Sequence, residues 1–228
     1  MKNYLLIVLF SLGFLSTIWA QSDDFSKKSY ITFDVLSPVI NYSPRYEIGY
    51  YRHFNEQWML GAELGIGTYD TSINFAAPGG WIEKDYLSFS ITPEIIYMRN
   101  PYRKTKRFIS AELFYIHHTD KFQDKSYTDT EFIKTYNYES AHYQRNKFGL
   151  NFSYGMIINF SNSVGIIPKL GAGLKVRDVE YKNIENLTVS EGEGFYGCTP
   201  SFTSRHLEVA GLVTRFNFNL EMQFFFKF

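Results

Sequence analysis

The feature that most constrains this chain is an alternation of large apolar residues with small or polar ones, which recurs from Ser29 to the C-terminus. In the segment 147–160, large side chains occupy the even positions from Phe148 to Ile158, while Gly, Asn or Ser occupies the odd positions from Gly149 to Gly155. A period of two places successive side chains on opposite faces of a strand, and almost no segment shows the 3.6-residue period of a helix. The chain is therefore predicted to be all-β.

Eight strands are predicted from this alternation and from the turn-like segments between them. They cover about residues 29–40, 45–54, 57–69, 86–98, 107–117, 147–160, 164–182 and 206–228. The connections alternate between short ones (55–56, 99–106 and 161–163) and long ones (Thr71–Asp85, His118–Asn146 and Asn183–Arg205). Only the connection 41–44 is short where a long one is expected. An antiparallel up-and-down β-barrel is the predicted fold.

The composition of the polar face indicates whether such a barrel is soluble or transmembrane. A soluble barrel carries its charged surface outside and its apolar residues inside, and a transmembrane barrel reverses this arrangement. Here the polar face consists mainly of Gly, Ser, Thr and Asn with isolated charges, and it lacks the dense mixed charge of a soluble surface. The sequence therefore favours a transmembrane β-barrel with its apolar face toward lipid.

The N-terminus has the pattern of a secretory signal peptide. Lys2 precedes an apolar stretch from Tyr4 to Leu15, and Ala20 precedes the polar Gln21. An uncleaved anchor is the alternative, but the apolar run is shorter than the roughly 20 residues that a spanning helix needs. The predicted organisation is a signal peptide (1–20), a short periplasmic segment (21–28) and a barrel domain (29–228), with cleavage near Ala20.

Charge and cysteine content exclude several classes of protein. The 23 basic and 23 acidic residues balance, so no global field would attract nucleic acid. The single Cys198 cannot form an internal disulfide, and no His/Cys spacing matches a zinc site. Neither a metal nor another cofactor is predicted, and the role of Cys198 stays open.

The last strand alternates up to the C-terminal aromatic residue. Its apolar row is Phe216, Phe218, Leu220, Met222, Phe224, Phe226 and Phe228. This segment resembles the terminal assembly signal of outer-membrane barrels. The whole of 30–228 resembles the small eight-stranded barrels of the OmpA, OmpX and OmpW type, in the Tyr- and Phe-rich form common in Bacteroidota.

That resemblance implies export, periplasmic chaperones, insertion by the barrel-assembly machinery and a place among the lipid and lipopolysaccharide of a Gram-negative outer membrane. The resemblance does not assign a functional role to any residue of this chain. Aromatic residues near strand ends are expected to form interfacial girdles, with Tyr30, Trp58, Trp81, Tyr97, Tyr115, Tyr143 and Phe228 as candidates.

Charged residues on the inward side of the strands form the candidate polar network of the lumen. They are Glu47, Glu63, Glu94, Glu112, Lys169, Lys175, Arg177, Arg215 and Glu221. Because an unpaired buried charge is very costly, these side chains are expected to pair and to plug the barrel, with an ion pathway as the alternative. Eight strands leave an interior that side chains just fill.

The predicted function is a non-enzymatic membrane anchor whose three long loops serve adhesion, ligand binding or envelope integrity at the cell surface. A narrow channel for small solutes is the alternative. A lipid-modifying enzyme is less favoured. A histidine of the extracellular side (His117, His118, His142 or His206) with Ser204 or Asp120 would be the candidate hydrolytic pair, but no spacing matches a known motif. The surface ligand is not predicted.

Overall fold

The computed structural model describes residues 29–71, 82–99, 101–103, 105–129, 134–189 and 209–228. Nine strands and two short helical turns follow one another in these ranges. The strands are β1 (Ser29–Asp34), β2 (Tyr46–His53), β3 (Trp58–Thr68), β4 (Leu87–Met98), β5 (Thr105–Asp129), β6 (Lys134–Asn159), β7 (Val164–Glu185), β8 (Thr188–Val189) and β9 (Val209–Lys227). The helical turns are α1 (Ser37–Ile40) and a 3₁₀ turn (Tyr69–Thr71).

Eight of these strands close into a ring. Strands β1 to β7 pair in chain order, β7 pairs with β9, and β9 returns to β1, with antiparallel pairing around the ring. The closing register places Phe33 of β1 opposite Phe224 of β9. The two-residue β8 pairs with β6 outside the ring. The predicted all-β fold and eight-stranded antiparallel barrel are confirmed.

Two strands are much longer than the sequence indicated. Strands β5 and β6 pair from Thr105 opposite Ile158 to Asp129 opposite Lys134, so residues 118–129 and 134–146 are the two paired arms of a β-hairpin. The prediction of a long loop at His118–Asn146 is wrong. The outward positions of β5 become polar from His117 onward, which hid the strand, although the period of two continues.

The first strand is shorter than predicted, because the chain turns after Asp34. The Asp34 carboxylate accepts the backbone N–H of Leu36 at 2.8 Å, and Pro38 then lies in the first turn of α1. Proline lacks the N–H that a sheet ladder needs but suits the start of a helix. The connection 35–45 therefore leaves the sheet and packs into the mouth of the barrel, where Ser43 and Arg45 are buried.

Glycines opposite aromatic rings shape the interior of the barrel. Gly61 pairs with Tyr51, and Gly155 pairs with Phe108. A Cβ at Gly155 would lie 2.3 Å from the Phe108 ring. Gly149 with Phe114 and Gly165 with Phe225 repeat this arrangement. The small face of the alternating pattern therefore gives space for the few large side chains that point inward.

The ends of the barrel differ. Residues 54–57, 99, 101–103 and 160–163 of the short connections lie at the same end as Ser29 and Phe228, whose backbones pair. Residues 35–45, 69–71, 82–86 and 186–187 and the outer parts of β5 and β6 lie at the other end. Among the described residues, neither helical segment has the length and hydropathy needed to cross a membrane.

Candidate functional site in the barrel lumen

The outer surface of the ring is a continuous apolar band. Leu113, Leu150, Leu174 and Phe216 follow one another around neighbouring strands in direct register, and each is exposed. Phe216 and Phe218 expose 74% and 76% of their surface. Water would penalise so large an apolar belt, whereas the hydrocarbon of a bilayer does not. The fold is therefore that of an eight-stranded transmembrane β-barrel.

The seven residues of the predicted assembly signal all lie on this lipid-facing surface. Phe216, Phe218, Leu220, Met222, Phe224, Phe226 and Phe228 are exposed, while the intervening side chains of β9 point into the lumen.

The girdle candidates divide between the two faces. Trp58 and Tyr97 lie outward at the end with the short turns, with ring centroids 4.9 Å apart. Tyr30 and Tyr143 differ from the prediction, because both are buried inside the barrel. Trp81 lies outside the described residues.

Inside the barrel, an apolar cluster fills the end that carries the short turns. Its members come from all eight strands of the ring and are almost completely buried: Tyr30, Tyr51, Met59, Ile96, Met98, Phe108, Ile157, Ile167 and Phe225. The aromatic members pack edge to face, as Tyr30 does on Phe225 at 5.3 Å. Large rings held against glycines leave this part of the lumen filled with side chains.

A single lysine occupies the middle of the lumen. Lys169 of β7 lies within salt-bridge distance of four carboxylates from four other strands. Its Nζ is 2.6 Å from Glu221, 3.0 Å from Glu94, 3.6 Å from Glu112 and 3.7 Å from Glu63. Because low dielectric strengthens these attractions, the lysine ties opposite walls of the barrel together.

Neutral hydrogen-bonding groups complete this central layer. The Tyr51 hydroxyl lies within hydrogen-bond distance of both Glu63 and Glu94, 2.7 Å from the latter, and its one O–H is shared between the two carboxylates. The amide of Gln223 donates to Glu63 and to Glu221, and Asn151 and Asn219 both donate to Glu112. Four carboxylates facing one ammonium need these donors, because a buried carboxylate without them is very costly.

Above this layer the lumen opens into a cavity of about 140 Å³, which is lined by six basic side chains and by the carboxylates of Asp34, Glu47, Glu63, Glu112 and Glu221. Lys147, Lys175, Arg177 and Arg215 line it together with Arg145. Arg45 also lines the cavity and is paired with Glu47, with its Nε 2.8 Å from the carboxylate. Ser90 donates to the same Glu47 oxygen at 2.8 Å.

At the mouth of the barrel, a serine from the connection 35–45 lies close to a histidine and an aspartate of β5. His118 Nδ1 lies 3.3 Å from Ser43 Oγ, and His118 Nε2 lies 3.9 Å from Asp120. The second distance is too long for a hydrogen bond, and Ser43 Oγ already accepts one from Arg145. Together with the 2.8 Å bond from Tyr86 Oη to the Pro44 carbonyl, these contacts hold the connection 35–45 in the barrel mouth.

The nine predicted lumen residues thus occupy two neighbouring parts of the lumen. Glu63, Glu94, Glu112 and Glu221 surround Lys169, and Glu47 pairs with Arg45. Lys175, Arg177 and Arg215 line the cavity above Lys169, which Glu47, Glu63, Glu112 and Glu221 also line. In the described ranges, no group of three or more His, Cys, Asp or Glu side chains is placed to hold a metal ion.

Sequence reasoning missed several residues of the site. Arg145 fell within the predicted loop, and Arg45 lies just before β2. Lys147 and Gln223 lie on the inward parity of β6 and β9, so strict use of the period of two would have found them. Which cation meets which carboxylate depends on the registers of six strands, and this information is not local to any segment of the sequence.

Two predicted loops and the cysteine fall mainly outside the described residues. Of the predicted loop 71–85, residues 72–81 are not described. The range 190–208 is not described either, and it includes most of the predicted loop 183–205 with Cys198, Ser204 and His206.

Comparison with known proteins finds similarity at the level of structure. No protein-family model matches the chain, and no curated protein matches it. Among solved structures, the crystal structure of a major outer membrane protein from Thermus thermophilus aligns with a TM-score of 0.43 and 11% sequence identity. The alignment covers 89% of this chain and 98% of the other.

Proposed function

We propose that this chain is an exported integral protein of a Gram-negative outer membrane, related in kind to the small barrels of the OmpA, OmpX and OmpW type. Three features support the proposal: the signal-like segment 1–20, the apolar outer belt, and a terminal strand whose outward row ends on Phe228. Cleavage near Ala20 and insertion by the barrel-assembly machinery follow from this location. Lipid and lipopolysaccharide would surround the belt.

The end with the short turns faces the periplasm in this proposal, and the β5–β6 hairpin faces outward. Outer-membrane barrels have short periplasmic turns and longer extracellular connections. Strand β5 has 25 residues, whereas a tilted transmembrane strand needs roughly 9–11. The remainder of the hairpin, from about His117 to Asn146, would stand above the bilayer as the main surface-exposed element.

The role that the geometry supports best is a non-conducting, non-enzymatic anchor with a ligand-binding outer surface. The observation that carries this proposal is the apolar cluster around Tyr51 and Phe108, which fills the periplasmic end of the lumen. The Lys169 layer above it is a second obstruction. A channel would need a continuous polar path, so we rank conduction second and lipid modification third.

Single-channel recording in planar bilayers tests the proposal. The mature protein, shown to be folded by its heat-modifiable migration on a gel, is expected to insert without conductance steps, while a general porin in the same bilayer gives steps. Discrete steps that change in amplitude or ion selectivity in Glu94→Gln would contradict the anchor and favour the channel. Release of labelled fatty acid from phospholipid vesicles, lost in Ser43→Ala, would instead favour the enzyme.

A further inference from the structure

The basic layer above Lys169 places like charges directly opposite one another. Lys147 of β6 is the register partner of Arg177 of β7, and Lys175 of β7 is the partner of Arg215 of β9. All four side chains line the cavity. Like charges directly opposite in a sheet destabilise it, and the repulsion is larger where water is scarce. The Lys175–Arg215 pair therefore calls for a compensating negative charge.

In the described part of the chain, Asp34, Glu47, Glu63, Glu112 and Glu221 also line the cavity, but none of these carboxylates forms an ion pair with Lys175 or Arg215. Arg145, Lys147, Lys175 and Arg215 form no ion pair with a carboxylate there. Three of the cavity carboxylates face Lys169, and Glu47 is engaged by Arg45. Lys147 has only a cation–π contact, with its Nζ 5.1 Å from the centre of the Phe114 ring.

One member of the layer is a buried cation with an unused donor. Arg145 is 4% exposed, one of its terminal nitrogens donates to Ser43, and its Nε has no hydrogen-bond acceptor. Its side chain lines the cavity beside those of Lys147 and Lys175. An unsatisfied charged donor in a polar cavity is costly, and a bound anion would remove that cost.

We propose that the cavity above Lys169 binds a phosphate-type oxyanion, with Arg145, Lys147, Lys175, Arg177 and Arg215 as its ligands. This inference deepens the proposed ligand-binding role and rests on it. Guanidinium groups match phosphate oxygens with paired N–H donors, and lysines add point charges. A volume of about 140 Å³ holds such an ion with a few waters, since one water occupies about 30 Å³ in the liquid. Five cations suit a multiply charged anion better than a monocarboxylate.

The test is binding of inorganic phosphate to the folded mature protein in detergent, measured by titration calorimetry at fixed ionic strength. The informative variants are Lys175→Gln and Arg215→Gln, because neither side chain holds an ion pair that folding would lose. Lys182→Gln is the matched control, since Lys182 lies on β7 as Lys175 does but is exposed and outside the cavity. We expect at least tenfold weaker binding in each cavity variant and unchanged binding in the control.

A second arm separates free phosphate from a phosphorylated lipid headgroup. The same variants are titrated with vesicles that contain lipid A, with or without its phosphates. Binding that needs the lipid phosphates and is lost in Lys175→Gln supports the site with a headgroup as ligand. No binding in either arm, or binding equally strong in the cavity variants, overturns the inference. Conductance decides the anchor role separately, because a barrel that conducts could still bind phosphate, and a silent one could fail to bind.

Discussion

The side chain on which the barrel interior depends most is Lys169. It is 3% exposed and is the cation that faces four carboxylates, each carried by a different strand. The attraction between buried charges offsets their desolvation cost only when geometry and hydrogen bonding are good. Tyr51 and Gln223 provide that hydrogen bonding here. Removing the cation leaves the carboxylates to repel one another.

Lys169→Met is therefore expected to lower the free energy of unfolding by about 3–5 kcal/mol, the range found when one partner of a buried pair is lost. Urea unfolding from phospholipid vesicles measures it. Lys182→Met is the control, because Lys182 lies 2.7 Å from Glu180 in an exposed pair whose loss costs under about 1 kcal/mol. Equal effects of the two substitutions would show that Lys169 does not organise the lumen.

Among the strands, the β5–β6 hairpin is the element that extends farthest from the barrel. Beyond the apolar band its side chains join Val179 of β7 in a cluster formed by Phe122, Tyr138, Ala141, Tyr143 and Val179, against which Tyr42 packs. Tyr127 stacks on Tyr181 of β7 with centroids 4.5 Å apart, and Thr128 pairs with Val209 at the start of β9. The hairpin is thus an extension of the barrel wall that packs on β7 and on the connection 35–45.

Because the part of the hairpin beyond Lys121 adds no further strand to the ring, the hairpin is expected to be dispensable for insertion. Deleting residues 122–141 and joining Lys121 to His142, which are register partners, through an Asn-Gly turn should leave a heat-modifiable barrel. Deleting residues 110–113 from the membrane part of β5 should abolish it. If the hairpin deletion also prevents insertion, the extension is required for folding and is not simply a surface element.

At the scale of the whole molecule, the barrel separates two solvents. Its outer face has apolar side chains toward lipid, and its inner face holds charges that only each other and the neighbouring amides stabilise. On β5, the outward residues change from Leu113 and Tyr115 to His117 and Thr119, and this change marks the upper edge of the lipid-facing band. Stability therefore depends on the depth at which a charge is placed.

Leu113→Arg is expected to destabilise the inserted barrel by about 2–4 kcal/mol, and Thr119→Arg by about 0–1 kcal/mol. Both positions face outward on β5 and differ in depth, so the pair controls for the arginine side chain itself. Reversible unfolding from vesicles gives both values. Similar losses at the two positions would mean that Leu113 does not lie in hydrocarbon.

The period of two was enough to predict the all-β fold, the closed ring and the face of each strand, because side-chain direction along a strand is a local property. The inward positions of Glu63, Glu94, Lys169 and Glu221 followed from the same rule. The rule failed on β5, where the outward face becomes polar from His117 onward, because a polar strand and a loop have similar composition.

Tertiary structure alone decided how the charges are distributed. The sequence placed nine charged residues in one lumen, but only the registers bring Lys169 to four carboxylates and set Lys175 opposite Arg215. Closing the ring joins residues as distant as Glu63 and Gln223, and this step determines which charges are compensated. The alternation therefore determined which solvent each face meets, and strand register determined which acids and bases meet in the lumen, because contact across a barrel depends on the stagger of all its strands.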